Sequence, residues 1–330
     1  MIKFFKSIYS EDERYYATAF DVLKSGVYIG GDEVKRFEDK VKAFYGVKHA
    51  IGVNSGSDAL YLAINATGVF SQSVMTTPLT FVATSEAIIR AGGRPLFEDV
   101  DDESLCLDAS VVGVNLYGNS IKMCETQDMA QAFGARFVGE LGCFSFFPTK
   151  VLGGCGDGGM IITDNDEYAD TIRSEASHGR SKNDKYDYIH HGINSRLDAL
   201  QAALLNLRID GILNELVRRK ELAQMYDEGL KGLPGVRIPY QDSVYNYYVP
   251  RFKDRDKVKK HLDSLQIGNM IYFPKSLNQY ALFPDAECPI AEKACTEVLA
   301  LPFYPNMPDS DVQIVCEEIR KCTETKSTEK

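Results

Sequence analysis

Apolar side chains recur at helical spacing over residues 11–28, "EDERYYATAFDVLKSGVY", and the run breaks at Gly26, which predicts a helix closed by a glycine. The stretch "GDEVKRFEDKVKAFYGV" repeats that pattern and breaks at Gly46. The pattern then changes. In "HAIGVNSGSDALYLAINATGV" a short apolar run passes through a Ser/Gly turn into a helix predicted to begin near Ser57, and "SVMTTPLTFVATSEAIIRAGG" repeats the strand, turn and helix. "RPLFEDVD", "SVVGVNLYG" and "FSFFP" read as further short strands, and "GGMIITDND" as one strand of a hairpin. Alternating strand and helix signals predict an α/β fold, a mostly parallel sheet covered by helices with its ligand site at the carboxyl ends of the strands. From residue 211 the character shifts: "ILNELVRRKELAQMYDEGL" is a long amphipathic helix, followed by "VRIPY", "YNYYVPRF" and "DKVKKHLDSLQIGNMIYFP". The expected division is a large domain over 1–210, N-terminal helices plus sheet, and a smaller α+β domain over 211–330. The polar tail "TETKSTEK" is expected to fray.

Composition adds limits. In 330 residues, 44% hydrophobic and 25% charged, no apolar run approaches the roughly 20 residues that a membrane helix needs. Acidic residues interrupt the start "MIKFFKSIYSEDERYY" before a signal-peptide core could form, so the expected location is cytoplasmic. A formal charge of −10 argues against a nucleic-acid surface, which needs clustered Lys and Arg. The eight cysteines are scattered with no C-x-x-C pair, as expected of reduced core thiols rather than a metal site.

The chemistry concentrates at "FSFFPTKVLGGCGDGG", residues 144–159, where Lys150 stands between an aromatic run and a glycine run. The glycines are followed by no Lys-Ser/Thr pair, so they form no nucleotide P-loop; they are expected to permit positive φ or close backbone packing. "VNSGSDAL", residues 53–60, opens a helix with a Ser-Gly-Ser turn, which suits an anion such as phosphate but equally an ordinary helix start. Asp128, in "TQDMAQAFGA", is on its own as readily a cap or a solvated carboxylate as a functional group.

Taken in order, "SGSDAL", "TFVATSEAI", "DMAQAFGA", "FSFFPTKVLG…GDGG" and "GINSRLDALQAA" resemble the DegT/DnrJ/EryC1/StrS sugar aminotransferases, fold-type I enzymes that use pyridoxal 5′-phosphate. The resemblance runs from about residue 17 to 310, and "IYFP", "FPDAECPIAE" and "LPFYP" extend it late in the chain. It implies that Lys150 forms a Schiff base with the cofactor aldehyde and carries the proton afterwards, and that Asp128 holds the pyridine nitrogen protonated so that the ring acts as an electron sink. It implies further that Phe81 stacks on the ring, that Gln131 bonds the phenolic-oxygen side, and that Gly56, Ser57 and Ser145 hold the phosphate. Asn194, with Arg196 beside it, would reach the phosphate of a neighbouring subunit, giving a homodimer with shared sites. Read singly, Phe81 could be core, Ser145 a strand residue and Asn194 a cap. The implied reaction moves an amino group from L-glutamate to a nucleotide-linked keto-sugar at C3 or C4, with "SGVYIGGDEVKRFE" and "NSRLDALQAA" closer to the C3 members. A related sugar dehydratase, which carries histidine in place of the lysine, and a non-catalytic regulator or scaffold on the same fold are the alternatives; Lys150 speaks against the first, and retention of Lys150, Asp128, Gln131 and Asn194 against the second. Two positions depart from the family: Gln127 where an acidic residue is usual and Asn115 where its "HLYG" motif has histidine. The connections flanking them are short, and one or two peripheral helices are expected to be lost or reduced to turns.

Overall fold

The computed structural model describes residues 1–9, 12–184 and 186–324. The two glycine stops hold: α1 spans Glu13–Ser25 and α2 Asp32–Tyr45, each closed by a left-handed glycine, Gly26 at φ 73° and Gly46 at φ 69°. The first strand–turn–helix unit is β1 (His49–Val53) and α3 (Gly56–Ala66); the second is β2 (Ser73–Thr76) and α4 (Ala83–Arg90), followed by β3 (Arg94–Phe97). Then come β4 (Ala109–Val114), β5 (Met123–Asp128), β6 (Leu141–Ser145) and β7 (Gly159–Thr163), and the helices α5 (Asp166–Glu175), α6 (Ala199–Asp210) and α7 (Ile212–Leu230).

The main sheet has the order β1-β7-β6-β5-β4. Pairing is parallel from β4 to β6 and antiparallel on both sides of β7, so the hairpin strand expected at "GGMIITDND" is the one that reverses an otherwise parallel-rich array. β2 and β3 form a parallel pair beside β4, joined to it where Thr76 Oγ1 donates to the Val112 carbonyl at 2.9 Å. Both sheet faces are covered, which is why β7 is buried at every position. On one face Leu141, Cys143 and Ile161 pack with Leu60 and Ile64 of α3; on the other, Phe144, Met160 and Ile162 pack with Phe37 of α2 and Leu205 of α6.

The expected loss of helices is found between β3 and β5. β4 and β5 are parallel neighbours, yet residues 115–122 connect them with only a short turn, Leu116–Gly118. A connector must retrace about 20 Å of strand, and eight extended residues reach about 27 Å, so the return is possible only nearly straight. Side-chain amides pin it: Asn119 Nδ2 donates to Ser104 O at 2.7 Å, Asn115 Nδ2 to Asn119 O at 2.8 Å, and Gln127 Nε2 to Asn115 Oδ1 at 2.8 Å. Gln127 Oε1 in turn accepts Val138 N–H at 2.8 Å. The two departures from the family pattern thus bond each other, both buried and both satisfied.

Beyond residue 211 the chain adds a two-residue ladder, β8 (Val236–Arg237) with β9 (Arg251–Phe252), and helices α8 (Arg255–Ser264), α9 (Pro289–Glu297) and α10 (Asp309–Glu324). Strand content here is slight. Leu222, Tyr226, Tyr248, Leu262, Val315 and Ile319 form a core of their own, and Ile2 from the other end of the chain joins it. A second cluster carries Ala291, Ala294 and Cys295 of α9 onto Leu116, Ile121 and Cys124 around the short crossover. The tail expected to fray lies, from residue 325, outside the described residues. Seven of the eight cysteines are buried free thiols and Cys155 is exposed, and no described helix is long and apolar enough to cross a membrane.

Arg208 ties α6 to α7 and to the loop between β6 and β7. Its guanidinium, 5% exposed, donates to Gly153 O at 2.7 Å and Val151 O at 3.0 Å and pairs with Glu215 of α7 at 2.6 Å. Arg208→Met would leave the shielded Glu215 carboxylate and the Val151 carbonyl without this donor, and Gly153 O with only the Tyr9 hydroxyl, so an expected loss of roughly 3 kcal/mol or more should appear as a lower urea midpoint at unchanged slope. A loss below about 1 kcal/mol would mean that the pair behaves as a surface bridge.

Candidate active site

A cavity of about 360 Å³ opens at the carboxyl ends of β4, β5 and β6 and of β1 beside them. Every expected site residue but one lines it: Gly56, Ser57, Phe81, Asp128, Gln131, Ser145 and Lys150. The exception is Asn194, which is exposed and pairs through its backbone with Ser177. Its neighbour Ser195 bonds Asn54 in both directions at 3.2 Å, so the Asn194 segment is fixed to the back of the Ser55–Ser57 turn in its own chain.

One end of the cavity is built for an anion. Ser55 caps α3, its hydroxyl accepting Asp58 N–H at 3.1 Å, which leaves the amides of Gly56 and Ser57 at the open first turn. A Cβ on Gly56 would stand 2.7 Å from Ser145 Cβ, so this glycine lets β6 approach the turn. A Cβ on Gly159 would overlap the Ser55 carbonyl, and those on Gly154 and Gly156 would meet the amide of Gln201. None of the glycines from 153 to 159 has positive φ, so close packing, not left-handed backbone, is what the run supplies.

The floor is Asp128. As the last residue of β5 it is flanked in register by Val114 of β4 and Cys143 of β6. Its Oδ1 accepts Ala130 N–H at 3.0 Å and its Oδ2 accepts the Thr84 hydroxyl at 2.8 Å. Burial pushes the carboxyl above its ordinary range, opposed by those two hydrogen bonds and by the charge of Lys150. Lys150 is the one cation lining the cavity among the described residues.

The walls bear on Phe81, which had been left open as a core residue, and on the orientation of Gln131. Phe81 is 57% exposed and faces the cavity 6.2 Å from the Phe273 ring, so it is not a core residue. Gln131 Oε1 accepts Tyr117 N–H at 2.7 Å, which orients the side-chain amide with Nε2 as its remaining donor. Tyr247, Tyr272 and Phe273 complete the wall from more than a hundred residues away, and Tyr247 Oη lies 2.8 Å from Thr149 Oγ1, next to Lys150. Nothing in the residue pattern alone assigned these aromatics, or Thr80 and Thr84, to the site. The motifs "TFVATSEAI", for Thr80 and Thr84, and "IYFP", for Tyr272 and Phe273, were their local signals.

Fold and cavity together define an aminotransferase. The structure of Streptomyces venezuelae DesV, solved with a ketimine intermediate, superposes with a TM-score of 0.90 at 30% identity over 96% of each chain. The chain belongs to the DegT/DnrJ/EryC1/StrS aminotransferase family, which it matches over residues 9–320. It is 34% identical to the UDP-2-acetamido-2-deoxy-3-oxo-D-glucuronate aminotransferase of Pseudomonas aeruginosa, over 89% of this chain and 92% of that protein. It is also 35% identical, over 91% of each, to a protein of Geobacillus stearothermophilus named a pleiotropic regulatory protein.

The raised Asp128 carboxyl carries a stability cost of known sign. Below its unfolded range it is protonated in both states; as pH rises through that range and then the folded one, stability is lost and stays lost. Cofactor-free Asp128→Asn, which cannot ionise, should therefore melt above cofactor-free wild type at neutral pH, and the gap should close as the pH falls toward about 4. A wild type as stable as the variant at neutral pH would show the carboxylate to be compensated within the chain.

Proposed function

We propose that this chain is a pyridoxal phosphate-dependent aminotransferase that moves an amino group from L-glutamate to a nucleotide-linked keto-sugar, making an amino-sugar. The observation that carries the reading is the presence of the Lys150 amine and the Asp128 carboxylate on one cavity, with an anion-binding helix start at its end. The donor set fits the cofactor. Gly56, Ser57 and Ser145 would hold the phosphate, Phe81 would lie against the ring, Asp128 would meet the ring nitrogen, and Gln131 Nε2 would meet the phenolic oxygen. Bound pyridoxal phosphate supplies an electron sink for charge developing beside the reacting amine. Asp128 keeps the ring nitrogen's proton in place. Lys150 Nζ would bond the cofactor aldehyde at rest with loss of water and, once displaced by the donor's amine, would take the proton from the donor's α carbon. The name of the Pseudomonas relative supports a 3-keto acceptor.

Residues 1–210 form the cofactor-binding domain in this reading, and 211–330 a smaller domain that lends Tyr247, Tyr272 and Phe273 to the acceptor side. The location proposed is cytoplasmic. A regulatory role, suggested by the name of the Geobacillus relative, gives no chemical use to an amine facing a buried carboxylate.

Borohydride reduction of the yellow holoprotein should fix the cofactor to the peptide bearing Lys150, and glutamate alone should bleach the visible band. An adduct on another lysine would sink the assignment. Asp128→Asn should lower kcat by roughly 3 kcal/mol or more in barrier, the scale of a lost preorganised partner; near-normal turnover would place the essential carboxylate elsewhere.

Among the described residues the lining holds no arginine and no second lysine to balance a phosphate, and Asn194 lies off the cavity of its own chain. This supports a shared site, in which Asn194 and Arg196 would reach the phosphate of a partner copy in a homodimer. Mixing inactive Lys150→Ala with inactive Asn194→Ala should restore activity, because one site of the mixed dimer is then intact while the other carries both lesions. No recovery after demonstrated subunit exchange, or a fully active monomer in sedimentation, would refute sharing.

A further inference from the structure

Thr84 and Thr80 are buried, 0% and 4% exposed, and their hydroxyl oxygens lie 2.8 Å apart. Thr84 Oγ1 also stands 2.8 Å from Asp128 Oδ2. An ionised carboxylate only accepts, and each hydroxyl has a single proton. Thr84 must therefore give its proton to the bond with Asp128, and the short contact with Thr80 is a hydrogen bond only if Thr80 donates. The chain runs in one direction, from Thr80 to Thr84 to Asp128. A protonated Asp128 with its proton in the Thr84 bond would reverse the chain, and with its proton elsewhere it would accept from Thr84 more weakly than the carboxylate does, while Ala130 N–H holds the other oxygen as an acceptor at 3.0 Å in either state.

We propose that Thr84 and Thr80 are positioning residues, an oriented hydroxyl chain that aims the Asp128 carboxylate at the ring nitrogen of the bound cofactor and favours its ionised form. The proposal rests on the cofactor reading above. Each hydroxyl polarises the next, so the donor reaching the carboxylate is stronger than a lone threonine. Thr84 sits in the first turn of α4 and Thr80 immediately before Phe81, so the bond between them also fixes the loop that carries the Phe81 ring. That loop is held from the other side, where Leu277 N–H donates to Pro78 O at 2.8 Å. The floor and the ring-facing wall are one assembly. The titratable groups facing Asp128 are Lys150, from the loop after β6, and the Cys143 thiol of β6.

The test uses deoxypyridoxine phosphate, which keeps the ring nitrogen and phosphate but has no aldehyde, so its affinity reports on Asp128 without Lys150 chemistry. Thr84→Val preserves shape and removes the hydroxyl. It should weaken binding about tenfold, the scale of one hydrogen bond to a charged group, and shift the low-pH limb of the affinity profile to higher pH. Thr84→Ser should restore both. Thr80→Val, one bond further out, should act in the same direction by about threefold and serves if Thr84→Val does not fold. Weakening that is equal at every pH, a serine variant as impaired as valine, or folded valine variants with wild-type profiles would each overturn the proposal. A wild type that does not bind the analogue would instead overturn the cofactor reading, and this inference with it.

Discussion

The constraint on which the arrangement depends is a carboxylate kept in a place that resists charge. Asp128 is 6% exposed at the end of a central strand, and burial alone would neutralise it. Its surroundings are those needed to hold it ready. An amide and a hydroxyl take one lone pair on each oxygen, and Lys150 brings opposite charge from the next strand's loop. In the proposed function, a carboxylate poorly compensated in the bare chain would release free energy when a protonated ring nitrogen met it.

The glycines after Lys150 serve the same end by sterics. The turn opening α3 can meet the end of β6 only because Gly56 and Gly159 lack side chains, and Gln201 seats the loop where Gly154 and Gly156 leave room. Arg208 then holds that loop from behind, and the Tyr9 hydroxyl adds a second donor to Gly153 O at 2.7 Å. A side chain from near the start of the chain and one from its sixth helix thus converge on one carbonyl of the Lys150 loop.

Much of this was legible in the residues, for identifiable reasons. The stops at Gly26 and Gly46 and the strand–turn–helix at Ser55 are local, set by backbone sterics and capping that act within a few positions. Lys150 stood out between an aromatic and a glycine run, whereas Asp128 gained its meaning only from the order of the motifs around it. β5 was not separately legible: "MCETQD" is polar, and it is a buried strand only because Gln127 finds Asn115 and Val138 as partners. Tyr247 and Tyr272 reach the cavity through long-range packing that no window of sequence contains. In the smaller unit the strand pairing among the described residues is the short β8–β9 ladder, and aromatic runs there bury themselves largely against helices.

The direct return from β4 to β5 bears on how the chain reaches this shape. Parallel neighbours ordinarily wait for a distant helix to be laid down between them, which makes their pairing slow and non-local. Here Val114 and Asp128 come into register across residues 115–122 alone. This pair costs little loop entropy and can form early in collapse. The strand that bears Asp128 is then a seed on which β6, and after it the Lys150 loop, can assemble.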